Sequence, residues 1–393
     1  MQKSPLPSVL AAKGAILLIA VAAGACGAGP TRTVTPVAVL APIPSAPPAA
    51  EPDQPPALPE RAPCVGVVKF ADEALRSDVK AALHVEGPVL ASDVAALQRL
   101  RVSRDVERLD GIECLTGLRA LELSHSKVTD LTRLVGLQQL EVLQIVGVPV
   151  HDLSPLSELE SLGNVDLTRT AVRDLTPLAG LRQLHTVDAS GTSVTDLGPL
   201  ATVRSLTQLN LEATAVRDLG PLAEHVAVTW LDLTGTQVAD LTPLAGMHLL
   251  RGLDLERTRV TNLAPLGSLE SLGYLRLGQT EVSDLSPLAN ARSLQVLDLS
   301  DTVVRDLGPL ASVSRLRELT LSRTPVSDLR PIAGLGLQQL LVDATAVKDL
   351  SPIAQIPTLQ QLQVQDSPID CATQGRFIVA AVNRGCQVST SCR

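Results

Sequence analysis

Residues Leu140 to Leu159 read LEVLQIVGVPVHDLSPLSEL, and this stretch decides the fold because the chain keeps rewriting it. On the pattern L-x-L-x-x-T-x-V-x-D-L-x-P-L, the first apolar position recurs at Leu121, Leu143, Val165, Val187, Leu209, Leu231, Leu253, Leu275, Leu297 and Leu319, always 22 residues apart. Two more units begin at Leu340 and Leu362, the first after a one-residue deletion near Leu335-Gly336-Leu337, and a degenerate unit begins near Leu100. A fixed period of this length predicts a solenoid, in which no unit can bury its apolar face alone.

Apolar and polar residues alternate at Leu121-Glu122-Leu123, so a short strand turns its leucines inward and leaves Glu122 outside. Stacked units then pair as a parallel sheet. Five residues on, an apolar residue such as Val128, Val172 or Val194 returns to the core. Next come Asp, Leu and, two residues further, Pro, as in Asp152-Leu153-Ser154-Pro155 and from Asp174 to Pro177. Asp accepts hydrogen bonds from free N–H groups and Pro is preorganised for a first helical turn, so each unit is expected to return through a short 3₁₀ segment capped by the Asp.

Spacing, Asp, Pro and inward Leu positions together resemble leucine-rich repeats of the bacterial internalin type, from about Phe70 to the C terminus. The resemblance implies an α/β leucine-rich-repeat solenoid with a curved parallel sheet on the concave face, 3₁₀ turns on the convex face and helical caps at both ends. One departure stands out. Where many such repeats carry an Asn ladder, this chain has Thr170, Thr192, Thr214, Thr236, Thr258, Thr280, Thr302, Thr324 and Thr345. A Thr hydroxyl can bond the backbone of the same turn, which serves the fold rather than an activity.

About 12 such units, over residues 101–369, fill most of a 393-residue chain as one elongated domain. The net charge of −8 becomes −10 without residues 1–25, because Lys3 and Lys13 leave and no acid does. An acidic chain with no basic stripe argues against nucleic acid and against peripheral binding to anionic lipid.

Residues 1–25 read as a signal peptide, with the apolar run GAILLIAVAAGA from Gly14 to Ala25 too short to span a bilayer comfortably. Ala23-Gly24-Ala25-Cys26 resembles a bacterial lipobox, with Ala23 where Leu is usual, which implies a lipid on Cys26. Gly27 after it resembles lipoproteins sorted to an outer membrane in a two-membrane host. Ordinary secretion, with cleavage near the same Ala, is the alternative. Residues 26–63 are Pro- and Ala-rich, too poor in core residues to fold, and read as a disordered tether with a reach of up to ~100 Å.

A helical N-terminal cap is expected over 64–100: Phe70, Leu75, Val79 and Leu83 mark one amphipathic helix, and Val94, Leu97 and Leu100 a second with Ser92 or Asp93 as its N-cap. In the C-terminal cap, residues 370–393, a helix from Thr373 to Arg384 would pack Phe377, Ile378, Ala381 and Val382 and end at Gly385. Beyond Cys26, the cysteines are Cys64, Cys114, Cys371, Cys386 and Cys392, all outside the regular repeats. In an exported chain this placement suggests bridges that staple the ends. Cys371–Cys392 is expected around the cap helix, Cys64–Cys114 stays open as a second pair, and Cys386 is left as a buried thiol. With no Cys-x-x-Cys and scattered histidines, no metal site or cofactor is expected.

The outward columns of the strands offer the site. The column before the first Leu holds the chain's one Trp and one Tyr, Trp230 and Tyr274, separated by Gly252. Two strand spacings put them roughly 10 Å apart, with a gap at the glycine. Around them fall Asp232, Asp254, Arg276, Glu212, Glu256 and Arg257, a composition suited to a binding hot spot. The bland reading is a solvated acidic face with two aromatics covering neighbours. His84, His125, His151, His185, His225 and His248 form no spacing with Ser, Cys or a carboxylate that marks a nucleophile or metal pair, and no catalytic residue is assigned. The sequence thus reads as an exported, lipid-anchored protein that recognises a protein or glycan on its concave face and touches the membrane only through its lipid. A non-catalytic envelope scaffold is the alternative.

Overall fold

In the computed structural model, residues 64–392 are described. The signal peptide, the lipid site at Cys26 and the tether to residue 63 lie outside the described residues. Fourteen parallel strands stand side by side in strict chain order, each three or four residues long, and a 3₁₀ turn follows each from the first to the twelfth. The unit quoted above shows how one turn is built. Leu143 and Ile145 point into the core with no exposure, and Val150, Leu156 and Leu159 join them from the return path. Each fully buried Leu contributes about 1.5–3 kcal/mol.

Asp152 stands one residue before the position that caps the 3₁₀ turn, and its Oδ1 accepts the Ser154 N–H at 2.8 Å. The bond recurs at Asp174, Asp196, Asp218, Asp240, Asp284, Asp306, Asp328 and Asp349, with Asn262 serving the same way. Every member of the Thr column donates its hydroxyl to the carbonyl three residues back, from Thr170 to Leu167 at 2.7 Å through Thr345 to Val342 at 2.9 Å. All nine are buried, so each hydroxyl satisfies a carbonyl that water cannot reach.

At the front, helix α1 (Glu73–Leu83) buries Leu75 and Val79 against the first unit. Asp72 caps it, one oxygen accepting the Ala74 and Leu75 N–H groups and the other those of Glu107 and Arg108, which ties the helix to the return path of the first unit. Burial opposes the charge on Asp72, yet these four bonds hold its carboxyl below the usual range. The expected second helix is only one turn, α2 (Ala91–Val94), capped at Leu90 rather than at Ser92 or Asp93. Leu100 belongs to strand β1 (Arg99–Arg101), where it pairs with Leu121. The alternation of Leu100 and Val102, both buried, outweighs the helical spacing there.

At the rear, helix α3 (Cys371–Asn383) starts two residues earlier than expected because Asp370 accepts the Ala372 N–H at 3.0 Å. Ile378 and Ala381 are buried and Phe377 is half-buried, but Val382 is 50% exposed, against expectation. The tail also adds a strand not foreseen, β14 (Gln387–Thr390), on the sheet edge beside β13 (Gln361–Val364). Disulfides join Cys64 to Cys114 and Cys371 to Cys392. Cys386 is free and buried, and burial raises its thiol pKa. Among the described residues no helix is long and apolar enough to cross a membrane.

Candidate functional site

Strands β7 (Trp230–Asp232), β8 (Gly252–Asp254), β9 (Tyr274–Arg276) and β10 (Val296–Asp298) carry the candidate face. Their register sets Trp230 beside Gly252 and Gly252 beside Tyr274, with Asp232, Asp254, Arg276 and Asp298 in the next outward column. The expected gap at Gly252 is absent. Glycine presents no side chain, so both rings lean over it until their centroids are 5.2 Å apart at an interplanar angle of 35°. A Cβ on Gly252 would stand 2.1 Å from Cε3 and 2.2 Å from Cζ3 of Trp230, so the indole fills the place a side chain would occupy. Such a tilted pair contributes about 0.5–1.5 kcal/mol beyond its buried area. Both residues remain half-buried.

Arg276 braces the pair from one side. Its guanidinium reaches Asp254 at 3.0 Å and Asp298 at 3.5 Å, and it also pairs with Glu256. Burial works against this charge, but Asp254, Tyr274, Glu256 and Asp298 outweigh it and raise the arginine pKa. Burial likewise lifts the Tyr274 hydroxyl above the ordinary phenol value, with the nearby Arg276 charge opposing. The ion network therefore holds the charge on Arg276, and burial holds the proton on Tyr274.

Two expected contact residues have a different job. Asp232 and Asp254 are 3% and 4% exposed, not open to a partner. Asp232 accepts the Thr234 N–H at 3.0 Å and Asp254 the Glu256 N–H at 3.1 Å. Asp166, Asp188, Asn210 and Asp298 make the same bond, so this column closes the turn after each strand. Burial raises the Asp232 carboxyl pKa, against the lowering effect of its bonds to Thr234. Glu212 is half-buried beside the row, and Arg257 is exposed at a left-handed position, φ 57°, outside the Arg276 ion pairs. Asp298, not singled out from the sequence, belongs to the network; its place in the Arg276 column was the signal.

His225 is fully buried on the return path, where Nε2 donates to the Leu200 carbonyl at 3.0 Å and Nδ1 has no partner. Burial lowers its pKa and keeps it neutral. A hollow of about 570 Å³ lies away from the aromatic pair, lined by Arg173, Thr192, Ser193, Thr214 and Gln237 among others. No group of three or more His, Cys, Asp or Glu among the described residues is arranged to hold a metal ion.

The stacked register, the 3₁₀ returns and the buried leucines define a leucine-rich-repeat solenoid. Known structures of internalin type share it. An internalin (inlF) of Listeria monocytogenes matches with a TM-score of 0.68 at 26% identity, covering 82% of this chain and 91% of that one. A leucine-rich-repeat protein of Leptospira interrogans matches at 0.68 and 22% identity, over 71% and 74% of the two chains. The functional domain of InlJ from Listeria monocytogenes matches at 0.62 and 20% identity, over 81% and 79%, and the last two likenesses are of fold alone. No family model matches the chain, and no curated protein matches its sequence.

Proposed function

We propose that the chain is an exported, non-catalytic recognition protein that binds a protein partner on its concave face around Trp230 and Tyr274. The observation that carries this reading is the ring pair itself. Two aromatics in contact over a glycine, braced by a paired arginine, form a rigid anchor at low entropic cost to the complex. Glu212, Glu256 and Arg257 supply the polar rim, whereas Asp232 and Asp254 act behind it by fixing the strand-to-turn geometry. A stiff curved sheet suits this task. Two disulfides at the caps suit an oxidising compartment outside the cytosol.

The lipid on Cys26, the tether and an outer-membrane location complete the proposal. Fatty-acid labelling that marks the wild type and not Cys26→Ser tests the anchor. The decisive experiment is capture from envelope and culture extracts with the full chain, comparing wild type with a Trp230→Ala/Tyr274→Ala variant. A partner held by the wild type and lost by a still-folded variant supports concave recognition. The same partner held by both moves the site to the convex turns or caps. Capture of nothing by either favours the envelope scaffold.

A further inference from the structure

We infer that the rear of the concave face carries a second site, a groove for a neutral oligosaccharide built from glutamine amides. Strands β11 (Glu318–Thr320), β12 (Gln339–Leu341), β13 and β14 align Glu318, Gln339, Gln361 and Gln387 in one outward column. Gln338 and Gln360 stand beside them, and the six residues line a shallow groove of about 240 Å³.

The groove differs from the rest of the face in what its side chains are doing. In the middle of the sheet the acids close turns or pair with Arg276. Here none of the five amides has a hydrogen-bond partner among the described residues, and the Glu318 carboxylate makes no ion pair there. Each amide offers two donors and an accepting oxygen with no net charge. That mixture matches vicinal hydroxyls, which also donate and accept, and it gives no reward to a strongly charged ligand.

Spacing selects a sugar chain over a polypeptide. Neighbouring strands lie about 4.8 Å apart, so the column repeats at close to the advance per ring of an extended chain of pyranoses. A polypeptide laid along the same column advances about 3.3 Å per residue, so about three residues span two strands and it meets an equivalent position only at every second strand, not at each one. Flexible glutamines lose rotamer freedom on binding, so each contact is weak and affinity grows with the number of rings engaged. The site is independent of the aromatic pair and stands whether or not a protein binds there.

The test is titration of the full chain with a panel of neutral hexasaccharides, β-1,4- and α-1,4-linked glucose and β-1,4-linked N-acetylglucosamine. Wild type is expected to bind at least one, and Gln339→Ala/Gln361→Ala to bind it about tenfold more weakly or worse, the effect of two or three lost neutral hydrogen bonds. Failure of every sugar to bind the wild type overturns the inference, as does equal binding by the double variant. Loss of sugar binding in Trp230→Ala but not in the glutamine variant would place the sugar on the aromatic pair instead. A neutral Gly/Ser peptide that binds where all sugars fail, and is lost with the glutamines, would assign the groove to polypeptide and overturn it too.

Discussion

Gly252→Ala is the sharpest probe of the aromatic pair, because it adds one methyl group where the structure has an indole. The new Cβ would lie 2.1 Å from Trp230 Cε3, so the ring must withdraw by about 1.4 Å to reach an ordinary carbon contact of about 3.5 Å. A movement of that size at a centroid distance of 5.2 Å breaks the contact with Tyr274. The lost pair costs about 0.5–1.5 kcal/mol. Against it, alanine in place of a strand glycine returns about 0.5–1 kcal/mol by restricting the unfolded chain. The two nearly cancel, so stability should stay within ~1 kcal/mol of the wild type. The readout is therefore local. Trp230 is the chain's one tryptophan, and its emission reports on this site alone. Gly252→Ala should shift that emission to the red and open it to acrylamide quenching, while capture of the proposed partner weakens. Gly246→Ala, whose Cβ meets nothing nearer than 3.8 Å, is the control and should leave the emission unchanged. Identical emission and quenching in wild type and Gly252→Ala would refute the reasoning, since the indole would then not rest over the glycine.

Two further outcomes follow from the buried groups. His225 is neutral in the fold and its pKa lies below the ordinary value near 6.5, so the unfolded chain binds the extra proton first and stability falls as pH drops below about 6.5. The loss from this one group reaches no more than about 1.4 kcal/mol at pH 5.5. His225→Leu should remove it in urea titrations at pH 7.5 and 5.5, because the Leu200 carbonyl keeps its bond from the Val203 N–H; an unchanged pH slope would count against the assignment. Cys371→Ser/Cys392→Ser opens a loop spanning a separation of 21 residues and should cost about 3 kcal/mol in the rear cap. Hydrogen exchange should quicken over 371–392 and stay slow in the middle units, since each repeat leans only on its neighbours; uniform quickening along the chain would contradict that locality.

The repeat was legible because period, turn chemistry and strand alternation all point the same way in each unit. Leu143, Asp152 and Pro155 each imply the same local geometry, and their neighbours 22 residues away repeat it. Where one of these signals stands alone, the sequence misleads. Leu100 fits a helical spacing with Val94 and Leu97, and only the sheet edge waiting at Leu121 draws it into β1. The segment QVST carries no motif, and the helix before it delivers it to the open edge beside Gln361. The strand register of Trp230 and Tyr274 could be counted from the repeat, but not their contact, because rotamers decide whether two rings flank a glycine or close over it.

The same comparison separates two kinds of outward residue that look alike in a sequence. A row of acids on a concave sheet invites a functional reading, yet Asp166, Asp188, Asp232, Asp254 and Asp298 each accept the N–H two residues ahead. Their recurrence follows from a turn that needs an acceptor in every unit, which is why the column is regular. Function has to be sought where a side chain does nothing for its own unit. By that test the ring pair over Gly252 and the unpartnered amides of Gln339, Gln361 and Gln387 qualify, because removing them leaves every turn bond in place. Regularity in a solenoid therefore marks what the fold requires, and the positions that break the column pattern without breaking the fold are where a partner has room to be recognised.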